Sequence, residues 1–398
     1  MLTRFPRTLS AVLAAAMLTA CETAPTDPVD LAPSLVAVVA PPVTLEWQQT
    51  ARNLVAQGSM SPLAAARMFA AASMAAMQAV EAVDARTEVG RNGGGYGPGG
   101  RSRYEARRGA VAGASARVLA WFVPSAATEL KELVAQQGNA GPGGVHPQFT
   151  RGVDIGHAAA KAILAHVMSD GFTAPWTGTI PVGPGLWTTT SLPPAGGTLG
   201  EATPWFLTSG NQFRSAPPPA YLSPAFNADL AGVLTIRTNL TSAQLGIALG
   251  WAYGAGTYTP VGFWNELAST YVAADGLDEA AAAKVFGLMS AAVFDALIAC
   301  FEAKYHYWTL RPHQANPAVT TAFTVPNYPA YPSGHGSVSG ASARVLAHFF
   351  PARAAELNAL REEAAMSRIY AGIHYQFDMT AARSMAEAVA DWVIAQGM

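Results

Sequence analysis

An all-α architecture of two packed helical bundles is the fold that this 398-residue sequence predicts, and three observations carry it. Alanine-rich runs such as "SPLAAARMFAAASMAAMQAVEAV" hold Leu63, Met68, Met74, Met77 and Val80 among small residues. The stretch "DEAAAAKVFGLMSAAVFDALIACFEAKYHYW" sets Val285, Leu288, Met289, Val293, Leu297, Ile298 and Phe301 at helical spacing. No apolar–polar alternation of useful strand length occurs anywhere. The chain is long enough for one large core or two ordinary ones. Only 13% of residues are charged and the formal net charge is −2, which excludes a global basic field for nucleic acid.

The elements follow in order. Residues 1–21, "MLTRFPRTLSAVLAAAMLTAC", open with Arg4 and Arg7, continue through an apolar run and end in a cysteine. That layout is a secretory signal, too short for a membrane span. Its end, Leu18-Thr19-Ala20-Cys21, resembles the lipobox of bacterial lipoproteins. The resemblance implies lipidation at Cys21 and a periplasmic protein anchored through that lipid to a membrane. Glu22 in place of aspartate favours the outer one. Residues 22–46 are proline-rich and read as a tether. Residues 47–240 form an amino-terminal helical region, with helices expected over 104–122 and 152–169. "NGGGYGPGG", Asn92 to Gly100, reads as a flexible connection, since no Lys-Ser/Thr helix start follows it. The Pro-, Gly- and Thr-rich segment 172–224 reads as an irregular excursion over the surface. Residues 241–398 form a carboxy-terminal helical region. Its apolar 278–308 stretch has the length of a membrane span, but Lys284, Asp295, Glu302 and Lys304 interrupt it, so it reads as the central helix of a bundle. Cys300 within it reads as a buried, inert thiol.

Chemistry concentrates in three segments of that second region. In "KYHYWTLRP", Lys304 and Arg311 are seven apart, so on a helix they project from one face, and Pro312 ends the helix near Arg311. In "YPSGHGSVSG", Ser333 caps a helix whose free amides at Gly334 and His335 face an anion. In "SRIYAGIHYQFD", Arg368 precedes His374 by six residues and Asp378 follows it by four. One helical turn would let that carboxylate hold the imidazole Nδ1–H. Taken singly, the cations read as a solvated helix face, His374 with Asp378 as a surface pair and His335 as a polar cap. Together, one lysine, two arginines, a hydroxyl and helix-start amides suit a tetrahedral oxyanion, and two histidines add a nucleophile and a proton donor. Five of the eight histidines lie between His306 and His374, but they lack the paired spacing of zinc sites. His306 and His313 read as rim residues and His348 as a hydrogen-bonded core histidine.

The order Lys-x6-Arg-Pro, Pro-Ser-Gly-His, Ser-Arg-x5-His-x3-Asp resembles the signature of the superfamily that joins type-2 phosphatidic acid phosphatases and vanadium-dependent haloperoxidases. "GFWNELA", "AKYHYW", "PGLWTTT", "PWFL" and "APPPAYLS" are similar to its soluble bacterial haloperoxidase-type branch, from about residue 47 onward. The resemblance implies an all-α fold with the active site in the carboxy-terminal bundle. It implies that Lys304, Arg311, Ser333, Gly334 and Arg368 bind the oxygens of vanadate, with phosphate able to occupy the same site. His374 would be the vanadium ligand or the nucleophile, oriented by Asp378, and His335 the acid/base opposite. Tyr328 and Phe301 would wall the halide and substrate pocket.

Two activities are implied. The first is a vanadium-dependent haloperoxidase, in which hydrogen peroxide oxidises halide to hypohalous acid and a small organic acceptor is halogenated. The second is a periplasmic acid phosphatase acting on phosphoesters through a phosphohistidine. A non-catalytic oxyanion-binding lipoprotein is the third reading, and the paired histidines argue against it. Halide preference and oligomeric state are not encoded in any motif.

Overall fold

The structure, a computed structural model, describes residues 41–89, 100–140 and 144–398. The signal segment, Cys21, most of the tether and nearly all of the glycine loop from Asn92 lie outside the described residues. Among those described, thirteen α-helices and no β-strand are present, only a single bridge between Leu186 and Thr309.

Helix α1 (Val43–Gln57) begins four residues earlier than the tether boundary read from the sequence. The cause is remote. Glu279, 3% exposed, accepts the Val43 and Thr44 amides at 2.9 and 3.0 Å, a side-chain cap supplied from 235 residues away. The chain continues through α2 (Pro62–Val89), α3 (Gly100–Phe122), α4 (Ala127–Gly138) and α5 (Pro147–Ser169). α3 and α5 pack backbone to backbone. A Cβ on Gly109 would fall 2.0 Å from the Phe149 carbonyl oxygen and one on Gly152 2.1 Å from that of Ala106, so only glycine fits.

The excursion after α5 is irregular until α6 (Pro224–Thr238), as its composition predicts. It is nevertheless pinned. Asp295, fully buried in the middle of a helix, accepts the amides of Trp205, Phe206 and Leu207 at 2.8, 2.8 and 3.2 Å. The sequence reading took this aspartate as an interruption of an apolar run; it is the anchor of the excursion. Asp295→Ala would bury three amides without acceptors. A loss on the order of 3 kcal/mol or more is expected in urea unfolding, since each orphaned buried group costs about 1–3 kcal/mol.

The second set comprises α7 (Ser242–Gly250), α8 (Thr259–Ala274), α9 (Glu279–Tyr307), α10 (Pro312–Ala315), α11 (Gly334–Phe349), α12 (Ala354–Tyr370) and α13 (Gln376–Gly397). α2, α3 and α5 make one bundle; α9, α11, α12 and α13 make the other. α9 packs on α2 as well as on α11 and α13, so one core runs across the division drawn at residue 240, and Pro41–Met398 is a single unit. α2 and α9 are long and apolar enough to cross a membrane, but 83% and 94% of their apolar windows are buried within the protein. His348 departs from expectation. It is exposed near the end of α11, beside Phe349, instead of in the core.

Candidate active site

The three segments meet at one place. α9 ends at Tyr307 because Trp308 adopts a left-handed conformation, φ 53°. Arg311 follows in an extended conformation with Pro312 as the first residue of α10. Lys304 and Arg311 therefore do not share a helix face, as the seven-residue spacing suggested. Lys304 points in from the last turns of α9, and Arg311 arrives from an extended strap held by pairing of residues 185–187 with 308–310.

Both cations are completely buried, and Arg368 is 2% exposed. Lys304 Nζ donates to the carbonyls of Pro329, Ala330 and Pro332 at 2.8, 2.7 and 2.5 Å. Arg311 donates to Tyr328 O, to Ile373 O and, through Nη1, to His374 Nε2 at 2.9 Å. Arg368 gives Nε to Ser367 Oγ and Nη2 to Ala248 O. Other buried arginines, such as Arg67 and Arg361, hold carboxylates. Among the described residues none of these three cations makes an ion pair. Burial accordingly pulls Lys304 and Arg311 down from their usual ranges, and takes Arg368 down to about 10.

Ser333 is the N-cap of α11, its Oγ accepting the Gly336 amide at 3.2 Å. The hydroxyl hydrogen remains available as a donor. The Gly334 and His335 amides are the first two of the helix and have no intrahelical acceptor. A Cβ added at Gly334 would meet nothing within 4 Å, so the space before this helix start is open.

His374 and Asp378 do pair, Nδ1 to Oδ2 at 2.7 Å, but not across one helical turn. His374 lies before Tyr375, the N-cap of α13, and Asp378 sits inside that first turn. Asp378 Oδ2 also accepts the Tyr375 amide at 3.1 Å. The partners settle both tautomers. Arg311 can only donate, so His374 Nε2 carries a lone pair and Nδ1 the hydrogen. His335 Nε2 lies 2.9 Å from the Trp251 carbonyl, which can only accept, so there the hydrogen is on Nε2. Burial, then Arg368, holds His335 well below its ordinary value; burial, then Arg311 and Lys304, does the same for His374. Burial also raises the Asp378 carboxyl, with the Tyr375 amide and Lys304 opposing.

Tyr328 lies against the cations themselves. Its ring is 5.0 Å from Lys304 Nζ and 5.2 Å from Arg311 Cζ, a cation–π arrangement. Phe301, 1% exposed, stands edge-on behind that ring at 5.1 Å. His313 is half-buried and His306 exposed near Arg214. The sequence reading missed Trp251 and Ala248, which act through backbone carbonyls, and Phe323, whose ring is 5.2 Å from Arg368. A helix end in "ALGWAYGAG" was the only signal for the first two. A separate cleft of about 750 Å³ is lined by Tyr331 and Phe377 and by none of the cage residues.

The donor set suits a tetrahedral oxyanion such as phosphate or vanadate. Three cations make no direct ion pair among the described residues, two amides and a hydroxyl are free to donate, and an imidazole lone pair stands beside them. Residues 282–397 match the family model described as the PAP2 superfamily. No curated protein matches in sequence. Among solved structures, the chain is similar to a bacterial vanadium-dependent iodoperoxidase: 23% identity, TM-score 0.72, covering 89% of this chain and 96% of that one. It is also similar to a bacterial vanadium-dependent chloroperoxidase. The holo-type structure shares 15% identity with a TM-score of 0.63, covering 87% and 95% of the two chains. The apo-type shares 16% with a TM-score of 0.65, covering 83% and 93%. These likenesses establish a shared fold.

Proposed function

We propose that this chain, whose residues 282–397 match the PAP2 superfamily model, is a vanadate-dependent haloperoxidase that oxidises halide with hydrogen peroxide to hypohalous acid. The observation that carries the proposal is the trio of buried cations that form no direct ion pair, beside two imidazoles of opposite tautomer. The names of the similar structures, iodoperoxidase and chloroperoxidase, support the oxidative reading over hydrolysis.

Lys304, Arg311, Arg368, Ser333 and the Gly334 amide would hold the oxyanion, and His374 Nε2 would ligate it. Bound vanadate would supply the Lewis-acid centre that activates peroxide toward a halide. The chain's own work is positional. Lys304 and Arg311 contribute mainly charge, because their hydrogens already serve carbonyls. Arg311 must release the His374 lone pair for that nitrogen to bond elsewhere, while Asp378 keeps the ring in the Nδ1–H form. His335, neutral near pH 7, can accept a proton on Nδ1 while its Nε2–H stays tethered. Tyr328 covers the cations and excludes water from them.

The test is reconstitution. With vanadate, hydrogen peroxide and bromide or iodide, the protein is expected to halogenate a phenolic dye, and without vanadate it is not. Phosphate should slow reconstitution by competing for the cage, and phosphoester hydrolysis should be weak. Brisk phosphoester hydrolysis that vanadate only inhibits, with no halogenation, would replace this reading by the phosphatase one.

A further inference from the structure

Two carbonyls at the end of α7, those of Ala248 and of the C-cap Trp251, serve the site. Trp251, the C-cap, returns its amide to Ile247 O, and Ala252 returns its own to Leu249 O. The Ala248 and Trp251 carbonyls go across the fold. Ala248 O takes Arg368 Nη2 at 3.0 Å, and Trp251 O takes His335 Nε2 at 2.9 Å. A helix carboxy-terminus carries partial negative charge, so this end suits both a guanidinium and an imidazole N–H. Trp251 is itself held in two ways. Its ring packs against Phe263, centroids 4.8 Å apart, with Tyr253 and Trp264 further out. Its indole Nε1–H donates to Glu363 Oε1 at 2.9 Å. Glu363 is exposed, lies on α12 five residues before Arg368 and makes no ion pair among the described residues. Its hydrogen bond to the indole is the directional restraint on the Trp251 side chain.

We infer that Glu363 is a positioning residue for His335: by latching the Trp251 indole it aims the Trp251 carbonyl at His335 Nε2 and fixes the ring in its Nε2–H tautomer. The ring's Nδ1 is thereby kept as the proton acceptor. Neither Glu363 nor Trp251 touches the oxyanion cage through its side chain, so the latch acts on proton handling and leaves anion binding alone. The kinetic part of this inference rests on the haloperoxidase reading; the tautomer part does not.

The experiment uses the full chain with Glu363→Ala, Glu363→Gln, Trp251→Phe and the double variant Glu363→Ala/Trp251→Phe. Trp251→Phe keeps an aromatic ring for Phe263 but removes the indole donor. Side-chain nitrogen NMR, with His335→Gln to assign the signal, reads the tautomer without added oxyanion. The wild type should show His335 as Nε2–H, and Glu363→Ala should show a mixture of both forms. In the vanadate-loaded protein, Glu363→Ala and Trp251→Phe should each lower kcat by about tenfold, with KM for peroxide changed less than about twofold. The affinity for inorganic phosphate should stay the same. The double variant should be no worse than either single one, because both break the same bond, and Glu363→Gln, which retains an acceptor oxygen, should rescue the loss. An unchanged His335 tautomer in Glu363→Ala overturns the inference, as does a loss of kcat that adds in the double variant or merely follows a lowered melting temperature. If the wild type shows no halogenation, the functional reading fails, and the NMR outcome still decides the latch.

Discussion

Replacing His374 by alanine is expected to abolish turnover, by about 10⁴-fold or more, whichever chemistry the cage supports. The reason is that His374 Nε2 is the imidazole lone pair that accepts directly from a cage cation, with its tautomer set by Asp378 on one side and Arg311 on the other. Vanadate retained through desalting should disappear in this variant, while inorganic phosphate should still bind through the three cations. The substitution also strips Asp378, whose Oδ1 already has no partner, of its imidazole donor. Leaving a buried acceptor without its donor costs about 1–3 kcal/mol or more, so the melting temperature must be measured alongside activity. His374→Gln, with an amide that can reach toward Asp378, is the control. It should melt closer to wild type and be equally inactive. Activity within tenfold of wild type in either variant would remove His374 from the centre of the site.

His335→Ala should behave differently. Oxyanion retention is expected to survive, because the cage donors and His374 are untouched, while turnover falls by about 10²–10⁴-fold, the usual worth of a general acid or base. Measuring vanadate content and dye halogenation on one preparation separates the two histidines; equal loss of vanadate from both variants would refute the assignment of roles. A stability signature accompanies it. Burial and Arg368 depress the His335 value below its unfolded value of about 6.5, so below that pH the unfolded chain binds the extra proton. The folded protein therefore loses stability as pH falls through that range, and His335→Ala should make the decline shallower.

Much of this molecule is legible in its sequence. The helices follow from small-residue runs and apolar periodicity, and the α11 start follows from Ser333, whose capping bond is local. The three segments that carry Lys304, Arg311, Ser333, Arg368, His374 and Asp378 are readable from residue type and spacing, and the fold brings all of them to one place. What the spacing could not supply was geometry. Arg311 reaches the cage from an extended strap and not from the face of α9, and His374 meets Asp378 from outside α13. The start of α1 depended on Glu279, and the course of residues 205–207 on Asp295. The tautomer of His335 depended on a carbonyl 84 residues away. The last three contacts share a physical reason. In the bonds of Glu279, Asp295 and His335, one partner is a backbone amide or carbonyl, and every residue type except proline offers the same pair. Side-chain identity records which charges and imidazoles the site needs. Which backbone groups stand opposite them is decided only by the path of the packed chain.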